Sequence, residues 1–211
     1  MALGSGRISK TMFKNKNWQN RWINKNRWPE SLFAKRVWLF LKNKKVKTLL
    51  DLGCGGGRDS QYFSRRGLKV VALDILRSED QQEKLKQNNI PFVKSDIRKL
   101  KLKGNSFDVI YAHLSLHYFN NKTTDKVFSN LHKILKPGGY LFIKCKSVND
   151  PLYGKGKKIE ENFYEEEHLR HFFSKDYMRE KLKNFKIIKI TQTSTFKRPS
   201  KASFIEAFAQ K

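Results

Sequence analysis

A glycine-rich turn over residues 53–57 is the part of this sequence whose residue types and spacing best suit ligand binding. Glycines at positions 53, 55 and 57 let the backbone approach a ligand closely and tolerate positive φ angles. A dinucleotide-binding fingerprint needs a further glycine at position 58, where this chain has Arg58. The spacing therefore predicts a ligand-binding turn that lacks the dinucleotide fingerprint.

Two carboxylates beside this turn indicate the chemistry of the ligand. Asp51 lies just before the turn, where its charge repels a pyrophosphate and attracts the ammonium group of an amino acid. Asp74 follows Gly55 by 19 residues, the spacing of a carboxylate that accepts hydrogen bonds from ribose hydroxyls. The predicted ligand has a ribose and a cationic end and needs no phosphate site, a description that S-adenosylmethionine (SAM) fits.

Alternating strands and helices must position these residues. Apolar strands are predicted at 48–52, 68–73, 92–94, 107–111 and 140–144, and helices at 30–43, 57–66, 78–88 and 123–135. Apolar strands that alternate with helices indicate a parallel sheet covered on both faces.

The C-terminal part of the sequence follows another pattern. A helix at 175–183 precedes two strands, 185–191 and 202–209, joined by a polar loop over 192–201. Strands without an intervening helix pair antiparallel. The prediction is an α/β fold with a doubly wound, mostly parallel seven-stranded sheet that includes an antiparallel C-terminal strand. Residues 147–173 are predicted to form a loop.

Five segments in this order resemble the class I SAM-dependent methyltransferase family and cover about residues 46–145. They are Leu50-Asp51-Leu52-Gly53-Cys54-Gly55, Val71-Ala72-Leu73-Asp74, Ser95-Asp96-Ile97, Phe107-Asp108-Val109-Ile110 and Leu135-Lys136-Pro137-Gly138-Gly139. Within the family, Gly57-Arg58-Asp59-Ser60 and the C-terminal strand pair look like the tellurite-resistance group and its small-molecule relatives. Taken alone, each of two carboxylates has an alternative interpretation: Asp74 as a helix cap and Asp96 as a turn residue.

The resemblance implies a Rossmann-like fold, SAM as cofactor, S-adenosylhomocysteine as product, and specific residue roles. By resemblance, Asp51 and Gly53 hold the methionine end, Asp74 takes the ribose hydroxyls, Asp96 meets the adenine amino group, and His113 lies near the transferring methyl. The expected cofactor-binding set is Asp51, Gly53, Cys54, Gly55, Arg58, Asp74, Ile75, Asp96, Ile97 and His113.

The methyl acceptor is expected beyond the fourth and fifth strands, because ligands of such sheets bind at the carboxyl ends of the strands. This places His113, Ser115, His117, Tyr118 and Cys145 nearby. His117 and His113 are the candidate catalytic bases, which matter only if the nucleophile arrives protonated. The alternative is that they are polar residues at a strand end without a catalytic role. No metal site is predicted, because His113 and His117 lack a nearby cysteine or a definite carboxylate partner.

The residues after the fourth strand bear on the class of acceptor. Ala112-His113-Leu114-Ser115 differs from the Asn/Asp-Pro-Pro-aromatic motif of base amino-methyltransferases, and no thiol nucleophile stands there. The leading prediction is a methyltransferase for a small-molecule acceptor. An RNA- or ribosome-directed methyltransferase is the alternative, and a non-catalytic SAM-binding or nucleic-acid-binding protein is a third.

The charge of the chain keeps the nucleic-acid alternative open. Lysine and arginine number 45 against 19 acidic residues, a formal net charge of +26. Such a surface is typical of proteins with an anionic partner, and a lineage bias toward lysine is the other explanation. Residues 1–28 are basic and carry Trp18 and Trp22, which predicts an N-terminal arm or lid. Residues 29–211 are predicted to form one methyltransferase domain.

Composition also limits the location of the protein. Two cysteines, Cys54 and Cys145, are too few for a disulfide scaffold. Both are expected to be free thiols, because the strand order that the resemblance implies places strand four between strands one and five, and two strand spacings exceed the span of a disulfide. No apolar run is long enough to cross a bilayer, and the first residues lack a secretion signal. The sequence therefore predicts a cytoplasmic protein without a membrane partner.

Overall fold

A seven-stranded sheet forms the centre of the computed structural model, which describes residues 29–76, 79–197 and 200–211. The predicted arm, residues 1–28, lies outside the described residues. The strands of this sheet are β1 (Thr48–Leu52), β2 (Lys69–Asp74), β3 (Phe92–Lys94), β4 (Phe107–His113), β5 (Leu135–Lys146), β9 (Lys186–Lys197) and β10 (Ser200–Gln210). Their order across the sheet is β3-β2-β1-β4-β5-β10-β9.

Helices cover both faces of the sheet. The described helices are α1 (Leu32–Leu41), α2 (Arg58–Ser64), α3 (Glu79–Gln87), α4 (Asn121–Ile134) and α5 (Lys175–Lys181), with a 3₁₀ turn at Ile97–Lys99. Phe33 of α1, Phe63 of α2 and Leu85 of α3 belong to one buried cluster. Phe128 of α4 and Met178 of α5 belong to the other. Two apolar layers on one sheet are the arrangement predicted for a doubly wound fold.

The pairing of the strands confirms the predicted sheet. β1 is parallel to both β2 and β4, and β4 is parallel to β5, so the carboxyl ends of these four strands share one edge. β10 pairs antiparallel with β5 and with β9. The order of the strands reverses between β1 and β4, which is where such sheets bind ligands. The glycine turn after β1 and the histidines after β4 flank this point.

The C-terminal strands are longer than predicted. β9 continues to Lys197 and β10 begins at Ser200, so the polar loop predicted over 192–201 is wrong. Most strand residues in this region are threonine, serine, glutamine or lysine, and β9 is an edge strand that can expose polar side chains to water. Polarity alone therefore indicated a loop where a hairpin continues.

The loop predicted over residues 147–173 is also wrong in part. It contains a small antiparallel sheet of β6 (Lys157–Glu160), β7 (Phe163–Glu165) and β8 (Leu169–His171). Strands of three or four residues are too short for a periodic pattern to reveal. The small sheet is joined through the backbone to the segment after β4, since the His171 amide donates to the His117 carbonyl at 2.9 Å.

The cysteines and helices bear on the remaining sequence expectations. Cys54 and Cys145 are free thiols, and β1 and β5 flank β4 as expected. Within the described part of the chain, no helix is both long and apolar enough to cross a bilayer.

Candidate functional site

The glycine turn joins β1 to α2 at the carboxyl edge of the sheet. The Gly53 amide donates to the Leu73 carbonyl of β2 at 2.7 Å, which fixes the start of the turn against the neighbouring strand. Gly53 has a φ of +72°, and a Cβ atom there would lie 2.4 Å from the Cβ of Ser115. Both the backbone angle and the contact require glycine at this position. The segment after β4 is therefore packed directly onto the turn.

Asp74, at the end of β2, closes the other side of the turn. Its Oδ2 accepts a hydrogen bond from the Gly55 amide at 2.8 Å, and its Oδ1 accepts one from the Leu76 amide at 3.0 Å. Burial raises the pKa of Asp74, and the backbone hydrogen bonds offset part of that effect. A carboxylate has about four lone-pair positions, so Asp74 keeps the capacity to accept hydrogen bonds from two hydroxyls of a ligand.

Asp51 lies beneath the turn and is almost fully buried. Its Oδ2 accepts a hydrogen bond from the Ser60 hydroxyl at 2.6 Å. Burial, reinforced by the negative charges of Asp59 and Asp74, raises the pKa of Asp51 to about 8. A cation placed close to a carboxyl group held in this way strongly stabilises its ionised form.

Asp96 follows β3, and its carboxylate accepts hydrogen bonds from the side chain of Arg98. Arg98 donates to both of its carboxylate oxygens, at distances from 2.5 to 3.0 Å, and the Arg98 amide donates to Oδ1 at 2.9 Å. Burial opposes ionisation, but Arg98 holds the pKa of Asp96 below its usual value. Asp96 thus caps the 3₁₀ turn that contains Ile97, while Ile97 packs against the buried cluster of β1 and β4.

Three further residues of the expected cofactor set lie around the turn. Cys54 and Ile75 are half-buried. Arg58, the first residue of α2, donates through Nη1 to the Pro29 carbonyl at 3.3 Å. Gln81 of α3, which sequence reasoning missed, is buried and donates through its amide to the Gly55 carbonyl. The signal for Gln81 was weak, because a glutamine inside a polar helix has no distinctive spacing.

The two candidate histidines differ in their partners. His113, the last residue of β4, has its Nδ1 atom 3.4 Å from Oδ2 of Asp59. Burial lowers the pKa of His113, and the Asp59 carboxylate opposes part of that effect. His117 is 2% exposed, and its Nδ1 has no hydrogen-bond partner among the residues that the structure describes. Burial holds the pKa of His117 well below its usual value, so both rings are neutral at pH 7.

The segment between the two histidines is strained and carries a second unpaired polar atom. Leu114 has a φ of +60°, a left-handed conformation that side chains other than glycine and asparagine rarely adopt. The next residue, Ser115, is buried, and its hydroxyl has no partner within the described ranges. A buried hydroxyl without a partner is costly in a folded protein. The strain and the unpaired hydroxyl both point to a ligand at this position.

A buried ion pair lies beside His113 on β5. Lys144, the strand neighbour of His113, has its Nζ 3.0 Å from Glu206 of β10. Arg36 of α1 donates to both oxygens of the same carboxylate. Burial lowers the pKa of Lys144, and Glu206 offsets part of that effect. The pair ties α1, β5 and β10 together at the carboxyl edge of the sheet.

Tyr118 and His168 connect the small sheet to the segment after β4. The rings of His117 and Tyr118 are 4.5 Å apart, and those of Tyr118 and His168 are 5.9 Å apart. His168 immediately precedes β8. Of the expected acceptor-side residues, Cys145 is buried within the cluster under α4 and α5, and burial holds its thiol neutral by raising its pKa. The Cys145 side chain therefore belongs to the apolar layer of the fold.

The chain matches a known protein family at the site described above. A family model described as a methyltransferase domain matches residues 50–143. Phosphoethanolamine N-methyltransferase 1 of Triticum aestivum is 34% identical over 104 residues, which are 46% of this chain and 21% of that protein. The first eight curated relatives are matched over 21% to 43% of their length, so the chain spans less than half of each.

Solved structures share the fold over most of the chain. A Burkholderia thailandensis 1,6-didemethyltoxoflavin-N1-methyltransferase, with 1,6-didemethyltoxoflavin and S-adenosylhomocysteine bound, superposes with a TM-score of 0.72 at 18% identity. That match covers 100% of this chain and 92% of the other. TehB from Haemophilus influenzae superposes with a TM-score of 0.66 at 18% identity, over 84% of this chain and 61% of the other.

Proposed function

We propose that this chain, which belongs to the class I SAM-dependent methyltransferase family, transfers the methyl group of SAM to a small-molecule acceptor. The observation that carries the proposal is the position of Asp74 against the glycine turn, at the point where the strand order reverses. Asp74 accepts the ribose hydroxyls, and the Gly53 turn receives the methionine end. The sulfonium methyl then faces the end of β4, where His113 lies, and the following segment, which contains His117.

The residues of the turn suit SAM in a second respect. Asp51 is a buried carboxyl group whose pKa of about 8 falls when a cation approaches, and the methionine end of SAM carries an ammonium group. The glycine turn itself, residues 53–57, carries no lysine or arginine that could hold a pyrophosphate, and Arg58, the residue after it, donates to the Pro29 carbonyl. SAM supplies an activated methyl group, and the protein aligns the acceptor with it.

A small-molecule acceptor is supported by the relatives of this chain. Phosphoethanolamine and 1,6-didemethyltoxoflavin, named in the descriptions of two similar proteins, are small molecules. The small sheet of β6, β7 and β8 is bonded to the segment after β4 through His171 and His117. This connection places the small sheet beside the proposed acceptor side.

A two-step experiment tests the proposal. Calorimetry with SAM and S-adenosylhomocysteine comes first, and we expect both to bind at micromolar concentrations. The protein is then incubated with radiolabelled SAM and a panel of small metabolites and RNA, and we expect label in a metabolite. Absence of SAM binding overturns the proposal, binding without turnover supports a non-catalytic SAM-binding protein, and label in RNA supports the RNA-directed alternative.

The raised pKa of Asp51 makes SAM binding dependent on pH. Free protein carries a proton on Asp51 at pH 7, because its pKa is about 8. Binding of an ammonium group lowers that pKa, so the proton is released and affinity rises as pH increases toward 8, by at most tenfold per pH unit. Calorimetry in buffers of different ionisation enthalpy measures the protons released at each pH.

The matched control for this experiment is Asp51→Asn. The amide keeps the shape of the side chain and cannot titrate, so proton release on SAM binding is expected to disappear. Equal observed enthalpies in all buffers for the unmodified protein contradict the assignment of Asp51 to the methionine end.

A further inference from the structure

Asp59, the second residue of α2, is a buried carboxylate surrounded by hydrogen-bond donors. Its Oδ1 accepts from the Ser31 amide at 2.8 Å. Its Oδ2 accepts from the Ser31 hydroxyl at 2.8 Å and from the Tyr111 hydroxyl at 2.7 Å, and faces Nδ1 of His113 at 3.4 Å. Burial opposes ionisation of Asp59, but His113 and Ser31 hold its pKa below its usual value. Asp59 is therefore an ionised acceptor with no proton to donate.

An ionised Asp59 determines which nitrogen of His113 carries the proton. A carboxylate only accepts hydrogen bonds, so Nδ1 of the neutral imidazole must be the protonated nitrogen that faces it. The lone pair of the ring then lies on Nε2. Within the described residues, no hydrogen bond to Nε2 of His113 is formed, whereas Nδ1 is turned toward the buried carboxylate.

The ring of His113 is held in place by aromatic and charged neighbours. It stacks on Phe33 of α1 at 5.8 Å and lies 6.2 Å from Tyr111 on its own strand. Arg58, Asp59 and Lys144 act on it electrostatically, and it acts in turn on His117. The His113 side chain is 16% exposed and that of Asp59 is 6% exposed, so the accessible part of the pair is the imidazole.

We infer that Asp59 is a positioning residue that holds His113 with Nε2 as the proton acceptor for the methyl acceptor, an inference that rests on the proposed function. The electron pair of the acceptor oxygen or nitrogen attacks the methyl carbon of SAM, and the carbon–sulfur bond breaks with its electrons left on sulfur. The acceptor proton moves to Nε2 of His113. Asp59 stabilises the imidazolium, which then loses the proton to solvent.

A purely structural role for Asp59 is the competing interpretation. Asp59 also binds Ser31, which caps α1 by accepting from the Ala34 amide at 3.0 Å, so its loss also loosens α1. A stability measurement alone cannot separate the two roles. Measuring which nitrogen of His113 is protonated separates the two roles, because only the positioning role requires Nδ1–H.

The substitution Asp59→Asn reverses the pattern of donors at His113. The Ser31 amide can only donate, so the new amide oxygen takes the place of Oδ1 and the NH₂ group takes that of Oδ2. This NH₂ group then faces the Ser31 and Tyr111 hydroxyls, which can rotate to accept, and Nδ1 of His113, which must lose its proton. We expect the tautomer of His113 to switch from Nδ1–H to Nε2–H.

Long-range ¹H–¹⁵N NMR of ¹⁵N-histidine-labelled protein reads the tautomer directly. The chain has five histidines, and His113→Gln identifies the signals of His113 by their loss. We expect Nδ1–H in the unmodified protein and Nε2–H in Asp59→Asn. An Nε2–H tautomer in the unmodified protein overturns the inference without reference to any variant.

Tyr111→Phe is the matched control, since it removes another donor to the same carboxylate oxygen without changing the group that faces His113. We expect Tyr111→Phe to keep Nδ1–H. With an acceptor from the metabolite panel that loses a proton on methylation, we expect kcat to fall by about 10²- to 10⁴-fold in Asp59→Asn. SAM affinity is expected to stay within a few-fold.

Different results contradict the proposed methyltransferase function and the positioning role of Asp59. If the unmodified protein does not bind SAM, the proposed function fails whatever the tautomer. If SAM binds and a metabolite is methylated while Asp59→Asn and Tyr111→Phe lower kcat equally, the positioning role of Asp59 fails and the methyltransferase function stands.

Discussion

Replacing Asp74 with alanine is expected to weaken SAM binding by about 10- to 150-fold, or ~1.5–3 kcal/mol. In the proposed complex the ribose hydroxyls lose a charged acceptor, and the Gly55 and Leu76 amides lose the partner that orders the turn. Isothermal calorimetry with SAM measures the change. Unchanged affinity contradicts the assignment of Asp74 to the ribose.

A deoxy ligand separates the ribose contact from a general loosening of the turn. The 2′-deoxy analogue of S-adenosylhomocysteine lacks one of the hydroxyls that Asp74 is proposed to bind. The unmodified protein is expected to bind this analogue more weakly than S-adenosylhomocysteine, whereas Asp74→Ala binds the two about equally. This coupling between side chain and hydroxyl isolates their interaction. If Asp74→Ala discriminates as well as the unmodified protein, Asp74 acts through the turn alone.

Replacing Gly53 with alanine is expected to remove SAM binding and to lower the free energy of unfolding by about 2–5 kcal/mol. Two costs combine: a left-handed φ costs an L-residue about 1–2 kcal/mol, and overpacking costs about 1–3 kcal/mol. The φ of Gly53 is +72°, and the new Cβ would lie 2.4 Å from Cβ of Ser115, so the turn and the segment after β4 must separate. Urea denaturation measures the stability, and calorimetry measures SAM binding.

Gly67→Ala is the matched control for this prediction. Gly67 has a φ of +86°, but apart from its chain neighbours no described residue lies within 4 Å of a Cβ placed there, so the substitution carries the backbone cost alone. We expect Gly67→Ala to lose about 1–2 kcal/mol and to keep its affinity for SAM. The double variant Gly53→Ala/Ser115→Gly relieves the contact and is expected to recover part of the stability. Equal losses in the two single variants contradict the role given to Ser115.

Much of the fold could be predicted from the sequence because its signals are local. The apolar strands before Gly53 and Asp74 and the helices between them each leave a pattern within about ten residues, and their alternation fixes the parallel order. The small sheet over 157–171 left no such pattern, because its strands have three or four residues. The hairpin of β9 and β10 was underestimated because an edge strand tolerates polar residues.

The roles of the candidate site residues toward SAM stay predictions, and only part of their arrangement in space could be predicted from the sequence. Asp51, Gly53 and Asp74 belong to segments whose spacing identifies them. Asp59 entered the sequence analysis only as part of a resemblance, because its role depends on contacts with residues 28 and 52 positions away in the chain. The unpaired hydroxyl of Ser115 and the strained Leu114 depend on how the chain turns after β4, which residue types alone do not specify.

The insertion of β10 between β5 and β9 constrains the order in which the chain folds. β5 ends at Lys146, and β10, which pairs with it, begins at Ser200. During synthesis, one apolar edge of β5 therefore stays unpaired until the intervening segment has emerged. β9 emerges before β10 but lies one position farther out in the sheet. Because local contacts form faster than long-range ones, we expect β9 and β10 to form a hairpin first, within microseconds, and this hairpin then to dock through β10 onto β5. Until that docking step, the edge of β5 is open to pairing with other chains, which makes the late hairpin the element that protects the nascent protein from aggregation.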